Sequence, residues 1–179
     1  MADAEVVDPA RWATMVPVTT SDDPADAEAL ARYAAALGDA VEAALPGWVE
    51  RSGRRVLDAQ GIAVDDDLAA RLADAGRRAR ERAMPRVRAV LAADVDAPAG
   101  TPLAVLRGVV PVVTEVLRAA GARPVPRDDF AERSFPDDAY DLSPATFADV
   151  DPVLHEPWLV WGAAKAHVHL ARRRREGKR

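Results

Sequence analysis

The most regular feature of the chain is a set of apolar stripes at helical spacing. Leucine, valine and alanine recur every three or four residues over 30–45, 68–91 and 103–120, which is the repeat of one face of an α-helix. No stretch of useful length alternates apolar and polar residues, as a half-buried strand does. The pattern therefore predicts an all-α fold.

Capping and breaking residues set the expected bounds of the first helices. Residues 21–24 (Ser-Asp-Asp-Pro) are typical of a helix start, and we expect this helix to end before Pro46. A second, shorter helix is predicted over 48–60. The third begins after 65–67 (Asp-Asp-Asp), and Pro85 should kink or split it, because an internal proline costs about 3 kcal/mol.

Small residues interrupt the apolar stripe of the third helix near Gly76, so we expect another helix to approach closely there. The fourth helix, from Thr101 to Ala120, has two apolar stripes and should lie at the centre. Residues 122–152 lose the periodicity, and a last helix begins at Pro152 or Pro157. We therefore expect an orthogonal or up-down bundle of five to six helices, with the irregular excursion 122–152 packed on it.

The 179 residues are enough for one domain with a core. We expect an extended N-terminal arm at 1–20, a single helical domain over 21–171 and a basic tail at 172–179. The tail is basic while the chain as a whole has a net charge of −5, so the rest is acidic and would repel nucleic acid. No secretion signal or membrane segment is evident, which favours the cytoplasm.

The residue types needed for several kinds of chemistry are missing. The chain has no cysteine, which excludes disulfides, thiol nucleophiles and cysteine-held metals. The three histidines are spaced so that no single helix brings two of them to one ion. No catalytic serine or phosphate-loop pattern occurs. We expect no metal and no cofactor, and the absence of a catalytic constellation favours a protein that is not an enzyme.

Aromatic residues are concentrated in one acidic part of the chain. Of nine aromatics, six fall between residues 130 and 161. They either hold the excursion on the helices, or they cover a pocket or contact a partner. The candidate partner-binding residues are Phe130, Phe135 and Phe147.

The last helix carries the candidate ligand site. Lys165 is one of two lysines against 22 arginines. A lysine in such a chain indicates that its compact ammonium is needed, either to bind an anion or because its pKa is shifted. The alternative is that Lys165 is an ordinary solvated lysine. His167 lies on an alanine-lined face, as a hydrogen-bonded core histidine would. The candidate ligand-binding residues are Tyr140, His155, Trp158, Trp161, Lys165 and His169.

Arginines crowd the third helix. Asp67–Arg71, Asp74–Arg78 and Arg77–Glu81 are spaced as ion pairs on a solvated face. The arginines at 82, 86 and 88 have no local acid, and we expect them to pair with the acidic excursion at 128–151. The arginines at 172–175 are expected to form a frayed, solubilising helix end.

These observations leave three functional hypotheses. The first is a non-enzymatic protein that acts through protein–protein contacts or self-association, with 128–161 as its contact surface and the arm at 1–20 able to cross to a neighbouring subunit. The second is a bundle that binds a small molecule or metal in a pocket between the excursion at 128–151 and the last helix. The third is binding of an anion or nucleic acid by the third-helix arginines and the tail.

Overall fold

The computed structural model describes residues 24–97, 101–125 and 138–177, and these are mostly helical with no strand among them. The all-α prediction is therefore confirmed. The expected arm at 1–20 and the helix cap at 21–23 lie outside the described residues. The elements in chain order are α1 (Pro24–Ala59), α2 (Asp66–Leu91), α3 (Thr101–Arg107), α4 (Val110–Ala119), α5 (Phe147–Val150), a 3₁₀ turn (Pro152–Leu154) and α6 (His155–Glu176).

Helix α1 continues through Pro46, so the predicted end before this proline and the separate second helix were wrong. Leu45, Trp48 and Val49 are all buried, on both sides of the proline. Because each half of α1 buries apolar side chains in the same core, packing offsets the hydrogen bond that the proline removes.

Helix α2 likewise runs unbroken through Pro85, where a kink or split was expected. Pro85 is exposed, whereas its neighbours Met84 and Val87 are buried. The helix begins at Asp66, slightly before the expected start after 65–67, and the Asp65 carboxylate caps it by accepting a hydrogen bond of 2.8 Å from the Leu68 amide. The apolar face of α2 is thus continuous, and the proline ring lies on the solvent side.

The expected helix over 101–120 is divided into α3 and α4. Pro111 lies in the first turn of α4 and has no N–H with which to bond the carbonyl of Arg107. The amide of Gly108 closes the last turn of α3 by bonding to Ala104 and Val105. Pro111 thus stands in the first turn after the break, where its missing N–H leaves no helical bond unmade.

Helices α1 and α2 approach each other closely at Gly76, which confirms the prediction from the small residues there. A Cβ placed on Gly76 would lie 3.0 Å from the Pro46 carbonyl oxygen. Helix α1 also packs against α6 and α4, and α2 packs against α3 and α4.

The described part of the excursion is built around one buried carboxylate. Asp138 accepts hydrogen bonds from the backbone amides of Tyr140, Leu142 and Ser143. Asp141 takes a left-handed backbone conformation with φ of 56° in this turn. These bonds fold the segment back so that Tyr140 and Leu142 enter the core.

Two arginines join the residues that follow to the helices. Arg51 of α1 donates 3.0 Å to the Val150 carbonyl and contacts the Asp151 carboxylate at 3.2 Å. Arg107 of α3 donates 2.9 Å to the Pro144 carbonyl. These contacts attach the segment that precedes α6 to both α1 and α3.

Candidate functional site

Helix α6 has two faces of different chemistry. Its inner face is buried through Pro157, Trp161, Ala164 and Lys165. Its opposite side, here named the outer face, is exposed and comprises Leu159, Ala163, Ala166 and Leu170. The sequence-predicted candidates divide between these faces and the connecting segments.

Aromatic rings stack along the inner face. The Phe147 and Trp158 ring centroids are 4.4 Å apart, and those of Trp158 and Trp161 are 5.1 Å apart. Trp161 is 1% exposed, and its indole N–H has no partner among the described residues. Phe147 is 2% exposed, so its ring belongs to the core and not to a surface that a partner could reach. Phe130 and Phe135 lie outside the described residues.

Lys165 follows this row of rings and is buried. Its ammonium lies 5.1 Å from the centre of the Trp161 ring and donates a 2.6 Å hydrogen bond to the Ala97 carbonyl oxygen. Burial lowers the pKa of Lys165, while Asp94 and Asp96 oppose that shift. A solvated mid-helix lysine, the alternative considered from sequence, is excluded, and the ammonium's partner is a backbone carbonyl.

Two further α6 side chains bind the same turn, which connects α2 to the segment before α3. His169 Nδ1 lies 2.7 Å from an Asp96 carboxylate oxygen, and Arg172 donates 2.7 Å to Asp94. We give the name latch to the contacts that Lys165, His169 and Arg172 make with residues 94–97. Arg172 was expected in a frayed end; it lies inside α6 and is paired instead.

Charge and hydrogen bonding in the latch change the pKa of Asp94. The backbone amide of Asp96 and then the Arg172 guanidinium hold the pKa of Asp94 below its ordinary value. Asp94 in turn raises the pKa of Arg172. Both side chains are about half exposed or more, so the latch is a surface ion pair of modest strength around a buried lysine.

Two further candidate ligand-binding residues, Tyr140 and His155, lie outside the latch. Tyr140 is buried, and its hydroxyl donates 2.9 Å to the Ala122 carbonyl. His155 is exposed at the start of α6. Of the six candidates, Lys165 and His169 contact the turn at 94–97, and Trp158 and Trp161 belong to the aromatic row.

His167 does not have the hydrogen bond expected of a core histidine. It is partly buried, and its Nε2 has no hydrogen-bond partner among the described residues. The Asp26 carboxylate of α1 lies 3.7 Å from this nitrogen, within ion-pair range if the ring is protonated.

Two of the ion pairs predicted along α2 are present, with Asp67–Arg71 at 3.7 Å and Asp74–Arg78 at 3.2 Å. Arg77 bonds Asp74 at 2.7 Å, three residues before it, rather than the expected Glu81.

Arg88 was expected to pair with the acidic excursion at 128–151, part of which lies outside the described residues, and its described partners are on α1. Its guanidinium bonds Glu42 at 2.6 Å and Asp39 at 2.8 Å, both on α1, and these bonds raise its pKa. A Cβ on the buried Gly38 would lie 3.1 Å from this guanidinium, so the glycine leaves room for Arg88 to cross α1.

A groove that sequence reasoning missed opens where α1, the end of α2 and α6 meet. Its volume is about 540 Å³, and its floor is mostly apolar, with Arg88, Asp94 and Arg172 at its edges. The signal was present as closely spaced alanines early in α1, which also suit ordinary helix packing. The lining residues used below are Ala27, Leu30, Ala31, Ala34 and Val168.

The outer face of α6 is the second feature that the sequence did not single out. Leu159 and Leu170 are each 54% exposed. At 100° per residue, the outer-face residues span an arc of about 60°. Exposed charged or titratable residues continue the same arc, with His155 and Glu156 before it and Arg173 and Arg174 after it.

Within the described parts of the chain, no group of three or more His, Asp or Glu side chains is arranged to hold a metal ion. No described helix has both the length and the apolar content needed to cross a membrane. Comparison with protein-family models, with curated proteins and with solved structures found no match to this chain.

Proposed function

We propose that this chain is a non-catalytic interaction protein and that the outer face of α6 contacts another polypeptide. The observation that carries the proposal is the exposure of Leu159 and Leu170 on one line of a helix whose opposite side buries Pro157, Trp161, Ala164 and Lys165. The proposal moves the contact surface from the excursion to α6.

The shape of this face suits a second helix. Ala163 and Ala166 lie between the two leucines, and small side chains allow another backbone to approach closely. The leucines at either end would then pack against the flanks of the partner. Isolated exposed leucines are common on protein surfaces, but two leucines and two alanines in one exposed row form a continuous apolar strip.

A photo-cross-linking residue at Ala166 tests the proposal. In cells that express the chain, we expect a discrete protein adduct from position 166 and none from Ala70, which is exposed on α2. Leu170→Asp should abolish the adduct while the helical content is unchanged. Equal adducts from positions 166 and 70, or an adduct that survives Leu170→Asp, would contradict a specific contact.

The groove between α1, α2 and α6 supports a second candidate function, binding of a small, largely apolar molecule. Its volume of about 540 Å³ falls in the range of small-molecule sites. Leu30, Ala34 and Val168 supply apolar lining, and Arg172 lies at the edge.

Filling the groove tests this second candidate. An environment-sensitive apolar dye should gain fluorescence with the native protein, and Ala31→Phe should reduce that gain because Ala31 lines the groove. Ala43→Phe, at an exposed position on the same helix, is the matched control. Equal dye binding by both variants would eliminate the groove as a ligand site.

The finer architecture is also a proposal, namely that the whole excursion 122–152 packs on the helices as part of one bundle. Tyr140, Leu142 and Phe147 of its described part contribute to the core, which supports it.

A further inference from the structure

The outer face of α6 and its charged ends are arranged symmetrically about the peptide bond between Ala164 and Lys165. Leu159 and Leu170 are equally distant from that bond along the chain, and so are Ala163 and Ala166. Glu156 and Arg173 are equally distant from it as well. Such a helix face is complementary to itself when a second copy is rotated by half a turn.

We propose that two copies of this chain pair through α6 in antiparallel orientation, across a two-fold axis beside Ala164 and Lys165. The inference rests on the proposed function and names its partner as a second copy. Leu159 of one copy then packs beside Leu170 of the other, and the alanines face each other at the crossing. A two-fold interface uses the same patch on both copies, and this face provides such a patch.

Charge selects the antiparallel orientation. In that arrangement Glu156 of each copy lies against Arg173 of the other, so both ends of the interface hold opposite charges. In a parallel arrangement Glu156 would face Glu156 and Arg173 would face Arg173, which is repulsive at both ends. His155 and Arg174 flank these pairs on the same arc, which leaves each acidic side chain next to two arginines of the other copy.

The inner face of α6 is not available for this pairing, since Trp161, Ala164 and Lys165 are buried within the fold. The outer face is therefore the side of the helix that a second copy can reach. One helix pair buries less area than the roughly 1,200–2,000 Å² of a standard interface, so we expect a weak, reversible dimer.

Charge-reversal variants test the pairing. Their dimerisation is measured by sedimentation of the full chain over a dilution series. Glu156→Arg and Arg173→Glu should each weaken dimerisation about tenfold, because each reverses two contacts per dimer. The double variant, and an equal mixture of the two single variants, should recover dimerisation to within about threefold of the unmodified chain. Glu81→Arg with Arg82→Glu, both exposed on α2, is the control and should change nothing.

Cross-linking tests the orientation, and the lack of native cysteine makes each introduced thiol unique. A mixture of Glu156→Cys and Arg173→Cys chains should give a mixed dimer with a short bismaleimide. Neither variant alone should cross-link, because the two like positions would be about 25 Å apart along the helix. Cross-linking of Glu156→Cys with itself would overturn the antiparallel arrangement.

The photo-cross-linking experiment at Ala166 separates this inference from the function on which it rests. An adduct between two copies of the chain supports both. An adduct with a different protein, together with a monomer at every concentration, would refute self-pairing and leave the proposed contact face intact. No adduct at all, again with a monomer, would refute both.

Discussion

The Lys165 ammonium of α6 donates a 2.6 Å hydrogen bond to the carbonyl oxygen of Ala97, 68 residues earlier in the chain. This contact joins the last helix to the turn that follows α2. The same ammonium lies near the ring of Trp161, so one side chain joins the aromatic row to the latch.

Replacing Lys165 with methionine should lower the free energy of unfolding by about 1–2 kcal/mol, since the Ala97 carbonyl loses a hydrogen bond while the side-chain volume is retained. Urea denaturation measures this loss. Hydrogen exchange of the backbone amides in residues 94–97 should also accelerate. Arg82→Met, on the exposed side of α2, is the control and should leave both quantities unchanged.

Two glycine-to-alanine substitutions should change the free energy of unfolding in opposite directions. Gly76→Ala should destabilise the fold by about 1–2 kcal/mol, because its Cβ would meet the Pro46 backbone, which cannot rotate away. Gly162→Ala should stabilise it by up to about 1 kcal/mol, because no atom beyond the adjacent turns of α6 lies within 4 Å of the new methyl group and alanine favours helix. Thermal unfolding of both variants checks these two predictions. A stabilised Gly76→Ala chain would show that α1 and α2 are not in close contact there.

The Asp138 carboxylate should be needed for the segment that precedes α5. Asp138→Ala leaves backbone amides of Tyr140, Leu142 and Ser143 without their acceptor, and should cost about 3 kcal/mol or more. Asp141→Asn, the matched control in the same turn, removes an exposed carboxylate and keeps a residue type that tolerates the left-handed conformation. Comparable losses of stability for both variants would argue against Asp138 as the centre of this turn.

The latch should contribute a pH-dependent stability. The folded-state pKa of Asp94 is below its ordinary value of 3.8, so its contribution is present above that pH and is lost as pH falls through the lower folded-state value. Asp94→Asn should therefore lower the melting temperature at pH 7, and this difference should shrink in strong acid. A difference that is constant between pH 7 and pH 2.5 would contradict the role of ionised Asp94.

The sequence predicted those parts of the fold that depend on local pattern. The apolar stripe of α2, its cap at Asp65 and the close approach at Gly76 are all visible as spacing of residue types. The continuity of α1 through Pro46 was not predictable in this way, because it depends on core burial on both sides of the proline.

The candidate site was less predictable because its contacts join distant residues. Arg88 pairs with acidic residues on α1, and Lys165 donates a hydrogen bond to a carbonyl in the turn after α2. Periodicity places Lys165, His169 and Arg172 on one side of a helix, but it carries no information on which turn faces them. The symmetric arrangement of the outer face is readable from sequence once the buried side of α6 is known.

The first described helix packs along the last one, with Asp26 of α1 beside His167 of α6. During synthesis on the ribosome, α1 and α2 can pair as soon as both have emerged, whereas α6 emerges after every other described helix. The nascent chain must therefore carry the uncovered α6-facing side of α1 until α6 has emerged. Transiently exposed apolar surface of this kind favours aggregation, and the docking of the last helix on α1 ends that exposure.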